Sequence, residues 1–474
     1  MHVDGQTRSF VRELADQAFS RASGAPLRDG NSIVLLKDAT QNYPAWLDAI
    51  RSARRTIHFE MYILHEDDAG RLFADALIKK AGEGVRVRLL YDWLGAFGKT
   101  SHRFWNRLRA AGVDTRCYNP PRFDHPLGWV SRDHRKMIAV DCEVAFVTGL
   151  CVGQAWVGDP ARHLDPWRDT GVQLRGPAVL DCEKAFAEAW AVAGDPLPDA
   201  ERVNREATLP PAGDVAVRVV ATVPNTAGLF RVDQLVAALA RNRLWLTDAY
   251  FAGTAPYVQA LRAAANDGVD VRLLVPGTSD IPALRLFSRA GYRPLLEAGV
   301  RVFEWNGPML HAKTAVADGQ WARVGSTNLN IASWMGNREL DVIVEDQRFA
   351  ASMEETYVAD LANAIEVVLD DRNRVRPPAG AAPRTRGGSG SSGRAVAGAV
   401  RIGNTVAAAL TNRRVLEPVE AHIALIAGSA LLACAVLAIK FPRGFSYPIA
   451  AILGWAAAAL IYRGIVLHRR RPTR

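Results

Sequence analysis

The stretch PMLHAKTAVADGQWARVGSTNLN, residues 308–330, joins strand-like runs to a compact set of polar side chains. His311 and Lys313 stand two positions apart, and in a strand residues at this spacing project from the same face. The Asp-Gly pair at 318–319 lies between two apolar runs, a pattern that predicts a two-residue hairpin turn. We therefore expect a β-hairpin with an imidazole and an ammonium group side by side at its start.

The run after this turn leads the chain back toward the histidine. It carries Ser326 and Asn328, whose hydroxyl and amide groups can donate hydrogen bonds to phosphate oxygens. The Lys313 ammonium supplies a positive charge for the same oxygens. The group has too few carboxylates for a metal cage and no helical His-Glu pair. We therefore expect a phosphate site that uses no metal and no cofactor.

The same spacing, HxKxxxxD, occurs a second time far upstream, in SRDHRKMIAVDCEVAFVTGLCVG, residues 131–153. One histidine near a lysine is usually structural, but two copies around one phosphate indicate catalysis. One histidine would attack phosphorus, and the other would move protons to and from the alcohols. The predicted catalytic residues are His134, Lys136, Asp141, His311, Lys313 and Asp318, and the predicted phosphate-binding residues are Lys136, Lys313, Ser326 and Asn328.

Three acidic residues in these segments have less direct roles. Asp318 is either a turn residue or an electrostatic part of the site. Glu339, in GNREL, is expected to accept from one ring nitrogen of His311 and so to fix its tautomer. Asp169, in WRDTGVQLRG, precedes a strand in the same way and is expected to orient His134.

Other segments repeat as well. GEGVRVRLLYDW, residues 82–93, parallels NDGVDVRLLVPG, residues 266–277, and ARRTIHFEMYIL parallels ARNRLWLTDAYF. Each copy alternates Ala-rich helical runs with short Val/Leu strands, which is typical of a layered α/β domain. Repeats on this scale indicate a duplicated domain with pseudo-twofold symmetry, whose facing copies would bring the two histidine motifs together.

Charge and cysteine content narrow the class of protein. The net charge of +9 favours an anionic partner, which is either nucleic acid or an acidic membrane surface. The five cysteines contain no CxxC pair, which argues against a disulfide framework or a zinc site and suits a reducing compartment.

Composition changes divide the 474 residues into seven segments. The N-terminal helix carries Phe10, Leu14 and Phe19 on one side, and it either packs on the domain or contacts a membrane. The linker is rich in Gly, Ser, Pro and Arg and should be flexible. The predicted segments are an N-terminal amphipathic helix, 1–30; a first lobe, 31–200; a second lobe, 201–372; the linker, 373–396; a basic amphipathic helix, 397–420; an apolar hairpin, 421–467; and a basic tail, 468–474.

The apolar hairpin consists of two runs, residues 421–441 and 447–467, each about as long as the roughly 20 residues that a helix needs to cross a bilayer. Two interpretations remain besides a full span: a hairpin within one leaflet and a buried soluble helical pair. Arginines flank the open ends of the hairpin, so the positive-inside rule predicts that the tail and the catalytic part face the cytoplasm.

The duplicated HxKxxxxD with GSTN in the second copy resembles the phospholipase D superfamily. Within this superfamily, the segments HRKMIAVD, FEMYILHEDDAGR and WRDTGVQLRGPAV are similar to the corresponding segments of bacterial cardiolipin synthases. The resemblance covers about residues 31–360. It implies a two-lobed α/β/α sandwich with one active site between the lobes and metal-independent transfer of a phosphatidyl group. It also implies that His134 is the nucleophile and His311 the acid and base.

Two departures from the family pattern concern the first repeat and the membrane anchor. TGLCVG stands where the family usually has a Gly-Gly pair and an asparagine; Cys151 sits at the asparagine position, and the roles of Gly149 and Cys151 stay open. A thiol donates to phosphate less well than an amide, and the Cys151 thiol is either structural or reactive. The apolar hairpin lies at the C-terminus, whereas family members often carry N-terminal spans or none.

The sequence leaves four functions open. The first is a membrane-bound cardiolipin synthase that acts on phosphatidylglycerol at the bacterial inner membrane, with anionic phospholipids as substrates and no nucleic acid. The second is a phospholipase D hydrolase or a transferase to another alcohol. The third is a nuclease of the same superfamily, and the fourth is a lipid-binding protein without catalysis. The oligomeric state stays open.

Overall fold

The computed structural model describes residues 15–121, 131–162, 164–202, 208–280, 288–289, 291–369, 375–376 and scattered positions between 432 and 458. The chain divides into a main unit, residues 1–118 and 131–394, and a second unit, residues 119–130 and 395–474. The main unit holds both histidine motifs.

The described residues of the main unit form one sheet of sixteen strands. In chain order the strands are β1 (Arg28–Lys37), β2 (Thr56–Met61), β3 (Arg86–Asp92), β4 (Asp114–Tyr118), β5 (Lys136–Val140), β6 (Val144–Thr148), β7 (Thr170–Arg175), β8 (Val215–Thr222), β9 (Arg243–Thr247), β10 (Asp270–Pro276), β11 (Arg301–Trp305), β12 (Thr314–Ala317), β13 (Trp321–Gly325), β14 (Glu339–Glu345), β15 (Ala364–Leu369) and β16 (Val375–Arg376).

The two halves of the sheet repeat one strand order. Read outward from the centre, the first half runs β1-β7-β6-β5-β2-β3-β4 and the second runs β8-β14-β13-β12-β9-β10-β11, with β15 and β16 added at its edge. In each half three strands are parallel and the rest are antiparallel. β1 and β8 pair antiparallel and join the halves into one sheet, a junction that the sequence did not predict.

Helices cover both faces of this sheet. They are α1 (residues 15–23), α2 (Asp38–Ser52), α3 (Asp68–Gly82), α4 (Trp93–Ala96), α5 (His102–Ala110), α6 (Gln154–Val157), α7 (Val179–Val192), α8 (Gly228–Leu239), α9 (Ala255–Asn266), α10 (Arg293–Glu297) and α11 (Gln347–Leu361), with 3₁₀ turns at Pro160–Arg162 and Asp199–Glu201 and a π-helical turn at Ala332–Gly336. Because both faces are covered, strands such as β2 are buried over almost their whole length.

The apolar core has three parts. One cluster fills the space between the first half of the sheet and helices α2, α3 and α5, and another lies under α8 and α9 on the second half. The third cluster lies under α7 and α11 on the opposite face, and it combines side chains from both halves, such as Phe186 and Phe349. The halves therefore share a continuous core.

Helix α1 packs on the second half of the sheet. Phe19 and Ala22 contact the same apolar cluster as Val220. The buried Arg218 donates to the Ser20 hydroxyl at 2.7 Å and pairs with Asp16 at 2.5 Å. For residues 15–23 the packing interpretation is confirmed; Phe10 and Leu14 lie outside the described residues.

The second unit is described only in part. Several positions between 436 and 458 are helical, and apolar side chains there are exposed, including Ile439, Tyr447 and Leu453. Within the described residues, no helix has the length and apolarity that crossing a bilayer requires. Most of the predicted hairpin and of the linker, and all of the basic helix, lie outside the described residues, while residues 375–376 of the predicted linker form β16.

Candidate active site

The two histidine-lysine pairs lie at equivalent places in the two halves. His134 and Lys136 lead into β5, and His311 and Lys313 lead into β12. All four side chains are buried. The Lys313 Nζ atom lies 2.9 Å from His311 Nδ1, which confirms that these two side chains share one face.

Two short bridges between the halves fix both histidines. The His311 N–H donates to the carbonyl oxygen of Arg168 at 2.7 Å, and Arg168 pairs with Leu310 as an isolated parallel bridge. The His134 N–H likewise donates to the carbonyl oxygen of Arg338 at 2.9 Å. Each bridge therefore sets a histidine of one half beside the start of a strand in the other half.

Asp169 follows Arg168 and Glu339 follows Arg338, and each of these carboxylates contacts the histidine of the other half. His134 Nδ1 lies 2.8 Å from Glu339 Oε2, and His311 Nδ1 lies 2.7 Å from Asp169 Oδ2. The expected pairing, with each carboxylate orienting the histidine of its own repeat, was wrong. The pairs are crossed because the bridges, rather than the hairpins, decide which histidine each strand start meets.

Crossed pairing fixes the tautomers. A carboxylate accepts a hydrogen bond, so the Nδ1–H of each ring donates to its carboxylate and Nε2 carries the free lone pair. For His311, the Lys313 ammonium also approaches Nδ1. We assign the Nδ1 proton to the bond with Asp169, because an ionised acceptor makes the stronger bond. Both histidines thus present Nε2 for nucleophilic attack or proton transfer.

Burial keeps both rings neutral. Burial lowers the pKa of His134 to about 4, although Glu339 opposes the shift, and the charges of Lys136 and Lys313 lower it further. Burial, together with the Lys313 charge, lowers the pKa of His311 to about 3. Each ring is influenced by the lysine of the other half, so the two half-sites form one electrostatic environment.

The orienting carboxylates stay ionised. Burial alone would raise the pKa of Asp169, but His311 and the Lys313 charge outweigh it, and the pKa lies below its ordinary value. The pKa of Glu339 is lowered in the same way, because His134 and the Lys136 charge outweigh burial. Burial lowers the pKa of Lys313 to about 8, although Asp169 opposes this shift.

Ser326 and Asn328 differ in what they offer a phosphate. Ser326 donates its hydroxyl hydrogen to Glu339 at 2.6 Å and accepts from the Leu340 N–H at 2.9 Å. Its single donor is therefore used by Glu339, which Ser326 helps to position, and phosphate binding by Ser326 stays a prediction. Asn328 is buried, and its Oδ1 atom, which is an acceptor, has no hydrogen-bond partner among the described residues.

In the first repeat, Gly149 takes the place of Ser326. A Cβ atom on Gly149 would lie 2.2 Å from Asp169 Oδ1, so no larger residue fits unless the carboxylate moves. Cys151 takes the place of Asn328 and is buried in the apolar cluster of the first half. Burial raises the pKa of its thiol, which favours the structural interpretation over a reactive cysteine.

Asp141 and Asp318, predicted to be catalytic, hold the backbone at the far ends of the hairpins. Asp318 accepts from the N–H groups of residues 241–243 at 2.8–2.9 Å, and Asp141 accepts from those of residues 54–56 at 2.7–2.8 Å. At about 3.3 Å per strand residue, each lies roughly 16 Å along the chain from its lysine. Their assignment as catalytic residues is corrected, and the turn interpretation of Asp318 holds.

The hairpin itself is confirmed, but its turn is longer than predicted. Ala317 pairs with Trp321, so three residues connect the strands instead of two. Asp318 and Gly319 both have positive φ, 51° and 64°, which explains the Asp-Gly pair at this point.

Three aromatic residues that the sequence analysis did not single out surround His311. Trp156 and Trp167 lie with ring centroids 5.5 and 5.6 Å from the imidazole, and Tyr250 lies at 5.8 Å. Trp156 Nε1 also donates to Asp169 Oδ2 at 3.0 Å. The sequence contained one indication, because Trp167 stands directly before the Arg-Asp pair that forms the bridge.

Comparisons with known proteins identify the family of the chain. The family model described as cardiolipin synthase, PLD-like domain, matches residues 46–152 and 236–361. Cardiolipin synthase A of Pseudomonas aeruginosa is 35% identical over 372 residues, which cover 76% of this chain and 73% of that protein. The chain belongs to the cardiolipin synthase family of phospholipase D-like proteins. The cardiolipin synthase of Alkalihalophilus pseudofirmus is 32% identical, with 72% of this chain and 68% of that protein covered.

Solved structures show the same fold in more distant proteins. The phosphatidylserine synthase of Haemophilus influenzae superposes with a TM-score of 0.60 at 14% identity, covering 74% of this chain and 92% of that one. The polyphosphate kinase of Porphyromonas gingivalis gives a TM-score of 0.51 at 14% identity, covering 75% of this chain and 51% of that one. The expectation of a mixed α/β fold of the phospholipase D type is confirmed.

Proposed function

We propose that this protein is a cardiolipin synthase that transfers a phosphatidyl group from one phosphatidylglycerol to another and releases glycerol. The observation that carries the proposal is the pair of buried histidines, each oriented through Nδ1 by a carboxylate of the opposite repeat. Identity of 35% with Cardiolipin synthase A supports the choice of substrate.

In the first half of the reaction, His134 Nε2 attacks the phosphorus of the bound phosphodiester. A P–N bond forms, and the bond from phosphorus to the glycerol headgroup oxygen breaks. His311, which has taken up a proton on Nε2 in the substrate complex, delivers this proton to that oxygen, and glycerol leaves. Glu339 stabilises the His134 imidazole in the tautomer that presents the Nε2 lone pair.

In the second half, the headgroup hydroxyl of another phosphatidylglycerol gives its proton to His311. The oxygen attacks phosphorus, the P–N bond to His134 breaks, and cardiolipin forms. His311 is therefore positively charged before the first proton transfer and after the second, and Asp169 stabilises this charged form. The reaction thus needs no net proton and no co-reactant.

The lysines and Asn328 hold the phosphate during both steps. Lys136 and Lys313 supply positive charge against the equatorial oxygens, and the Asn328 amide donates a hydrogen bond. A bound phosphodiester brings a negative charge close to both rings, and this raises the pKa of His311 above its value of about 3 in the free protein. Substrate binding thereby prepares His311 to carry the proton that glycerol needs.

The C-terminal region is proposed to hold the enzyme at its substrate. Apolar side chains between residues 436 and 458, such as Ile439 and Leu453, are exposed. Exposed apolar surface of this kind favours contact with lipid over contact with water. We place residues 421–467 in the bacterial inner membrane as a hairpin and the lobes, 31–200 and 201–372, on the cytoplasmic side. The arginine-rich ends of the hairpin support this orientation.

The test is a lipid assay with the purified full-length protein in detergent, phosphatidylglycerol as substrate and a metal chelator present. We expect cardiolipin and glycerol in equal amounts. His134→Ala and His311→Ala should each abolish both products. His102→Ala, at an exposed histidine on α5, serves as the matched control and should retain activity.

Other products would change the assignment. Phosphatidic acid without cardiolipin would make water the acceptor and the protein a phospholipase D hydrolase. A transfer product with another alcohol would leave the chemistry and change the acceptor. Absence of any product from phospholipids would refute the proposal.

A further inference from the structure

His311 lies inside an aromatic enclosure, formed by Trp156, Trp167 and Tyr250. Trp156 stands nearly perpendicular to the imidazole, with an interplanar angle of 85°, and Tyr250 does so at 81°. Trp167 lies at 35° and covers another side of the ring. The imidazole is therefore bordered by ring surfaces on several sides, and it is 4% exposed.

Ring contacts and hydrogen bonds hold the walls of the enclosure. The Trp156 and Trp167 rings contact each other at 4.8 Å, and the Trp167 N–H donates to the carbonyl oxygen of Ala155 at 3.0 Å. Trp156 Nε1 is anchored on Asp169, the carboxylate that orients His311. The Tyr250 hydroxyl donates to Asp280 at 3.1 Å. The walls are thus tied to the main unit and to the catalytic pair.

The segment that brings both tryptophans is specific to the first repeat. Cys151 and Asn328 occupy equivalent positions, but the stretch from Cys151 to Asp169 is longer than that from Asn328 to Glu339. The additional residues place Trp167 against the histidine of the second repeat. The two tryptophans of the enclosure therefore lie in a segment of the first repeat that is longer than its counterpart in the second repeat.

Such walls discriminate between the two acceptors available to a phosphohistidine. Water needs two to four polar partners to be held in place, and aromatic faces offer few. A glycerol headgroup presents C–H groups that pack on ring faces while its hydroxyl approaches His311 Nε2. Exclusion of water from a site also protects a reactive intermediate from hydrolysis.

We propose that Trp156, Trp167 and Tyr250 set the acceptor specificity of the enzyme by keeping water away from His311. This inference rests on the function proposed above. In the favoured reaction the lipid hydroxyl gives its proton to His311, its oxygen bonds to phosphorus, and the P–N bond to His134 breaks. Water would take the same steps and yield phosphatidic acid.

Trp167→Ala tests the inference, because it removes one wall and leaves the bond between Trp156 and Asp169 intact. The full-length variant is assayed with phosphatidylglycerol in water enriched in ¹⁸O, and the ratio of ¹⁸O-labelled phosphatidic acid to cardiolipin is measured. We expect this ratio to rise about tenfold or more over the wild-type value. Trp167→Phe keeps an aromatic wall and should raise the ratio less.

Trp321→Ala is the matched control. Trp321 is about as buried as Trp167, at 9% against 7%, but it lies at the far end of the hairpin beside the 318–320 turn. Its removal should lower stability without changing the product ratio. Melting temperatures of both alanine variants separate loss of fold from loss of specificity.

Each outcome decides the inference. A raised ratio in Trp167→Ala and an unchanged ratio in Trp321→Ala support it. An equal fall of both products in Trp167→Ala, at constant ratio, overturns it and leaves the proposed function intact. A wild-type protein that makes phosphatidic acid alone overturns both.

Discussion

Replacement of Glu339 by glutamine tests the crossed pairing directly. The side chain keeps its shape but loses its charge and gains a donor. Glu339 accepts from His134 at 2.8 Å, from Ser326 at 2.6 Å and from Asn337 at 3.1 Å. Because both carboxylate oxygens face donors, the new amide NH₂ group must oppose one of them in either orientation.

The expected loss follows from these contacts. A hydrogen bond to a charged partner is worth about 1.5–3 kcal/mol, which corresponds to a rate loss of about 10- to 150-fold. If the amide NH₂ faces the ring, His134 must accept at Nδ1 and carry its proton on Nε2, where the nucleophilic lone pair is needed. A wrong tautomer of this kind costs about 10⁴-fold in the serine protease triad. We expect kcat to fall between these limits.

The assay that assigns the effect to one histidine is ¹⁵N NMR of the full-length protein in detergent with labelled histidine. The His134 and His311 signals are identified by their absence in the alanine variants. Glu339→Gln should shift the ring nitrogens of His134 and leave those of His311 near their wild-type positions. Asp169→Asn should do the reverse.

The control is Glu297→Gln, at a glutamate on α10 that pairs with Arg293 outside the site. It should change neither histidine nor kcat. The crossed pairing is refuted if Glu339→Gln shifts the ring nitrogens of His311 and leaves those of His134 in place, since that is the result of pairing within each repeat.

Three further predictions concern charge, the hairpin ends and the crowded glycine. The profile of kcat/KM against pH should fall more steeply above about pH 8, where Lys313 loses its charge; a slope that does not change from pH 7 to 10 would contradict this. Asp318→Ala should lower the melting temperature, because three backbone N–H groups lose their acceptor at a cost of about 1–3 kcal/mol, while kcat of the folded enzyme persists; lost activity at unchanged stability would restore Asp318 to the site. Gly149→Ala should cost about 100-fold in kcat, because its Cβ would displace Asp169; wild-type activity would show that the carboxylate has room to move.

The features of the site that depend on neighbouring residues in the sequence could be predicted from it. The two-residue spacing of His311 and Lys313 placed both on one face, and the Asp-Gly pair gave a hairpin. The repeated segments around β3 and β10 took equivalent places in the two halves. Each of these features depends on residues close together in the chain, so the sequence carries the information.

The relation between the halves was not predictable in the same way. Asp169 and Glu339 were recognised as orienting residues, but their partners depend on the bridges Arg168–Leu310 and Asp133–Arg338, which join residues far apart in the chain. Asp141 and Asp318 belong to the same motifs as the histidines, but strands β5 and β12 lie between them and the site and place them at the far ends of the hairpins. Ser326 was assigned to phosphate because nothing local indicates that its hydroxyl donates a hydrogen bond to Glu339.

The crossed pairs also have a consequence for the ancestry of the chain. One half alone contains a histidine and a carboxylate that cannot meet, because each finds its partner only across the junction. A single-repeat protein with this geometry would be inactive as a monomer and complete as a pair, each copy orienting the histidine of the other. Fusion of two such copies would keep this dependence and free each copy to diverge, as Gly149 and Cys151 have diverged from Ser326 and Asn328.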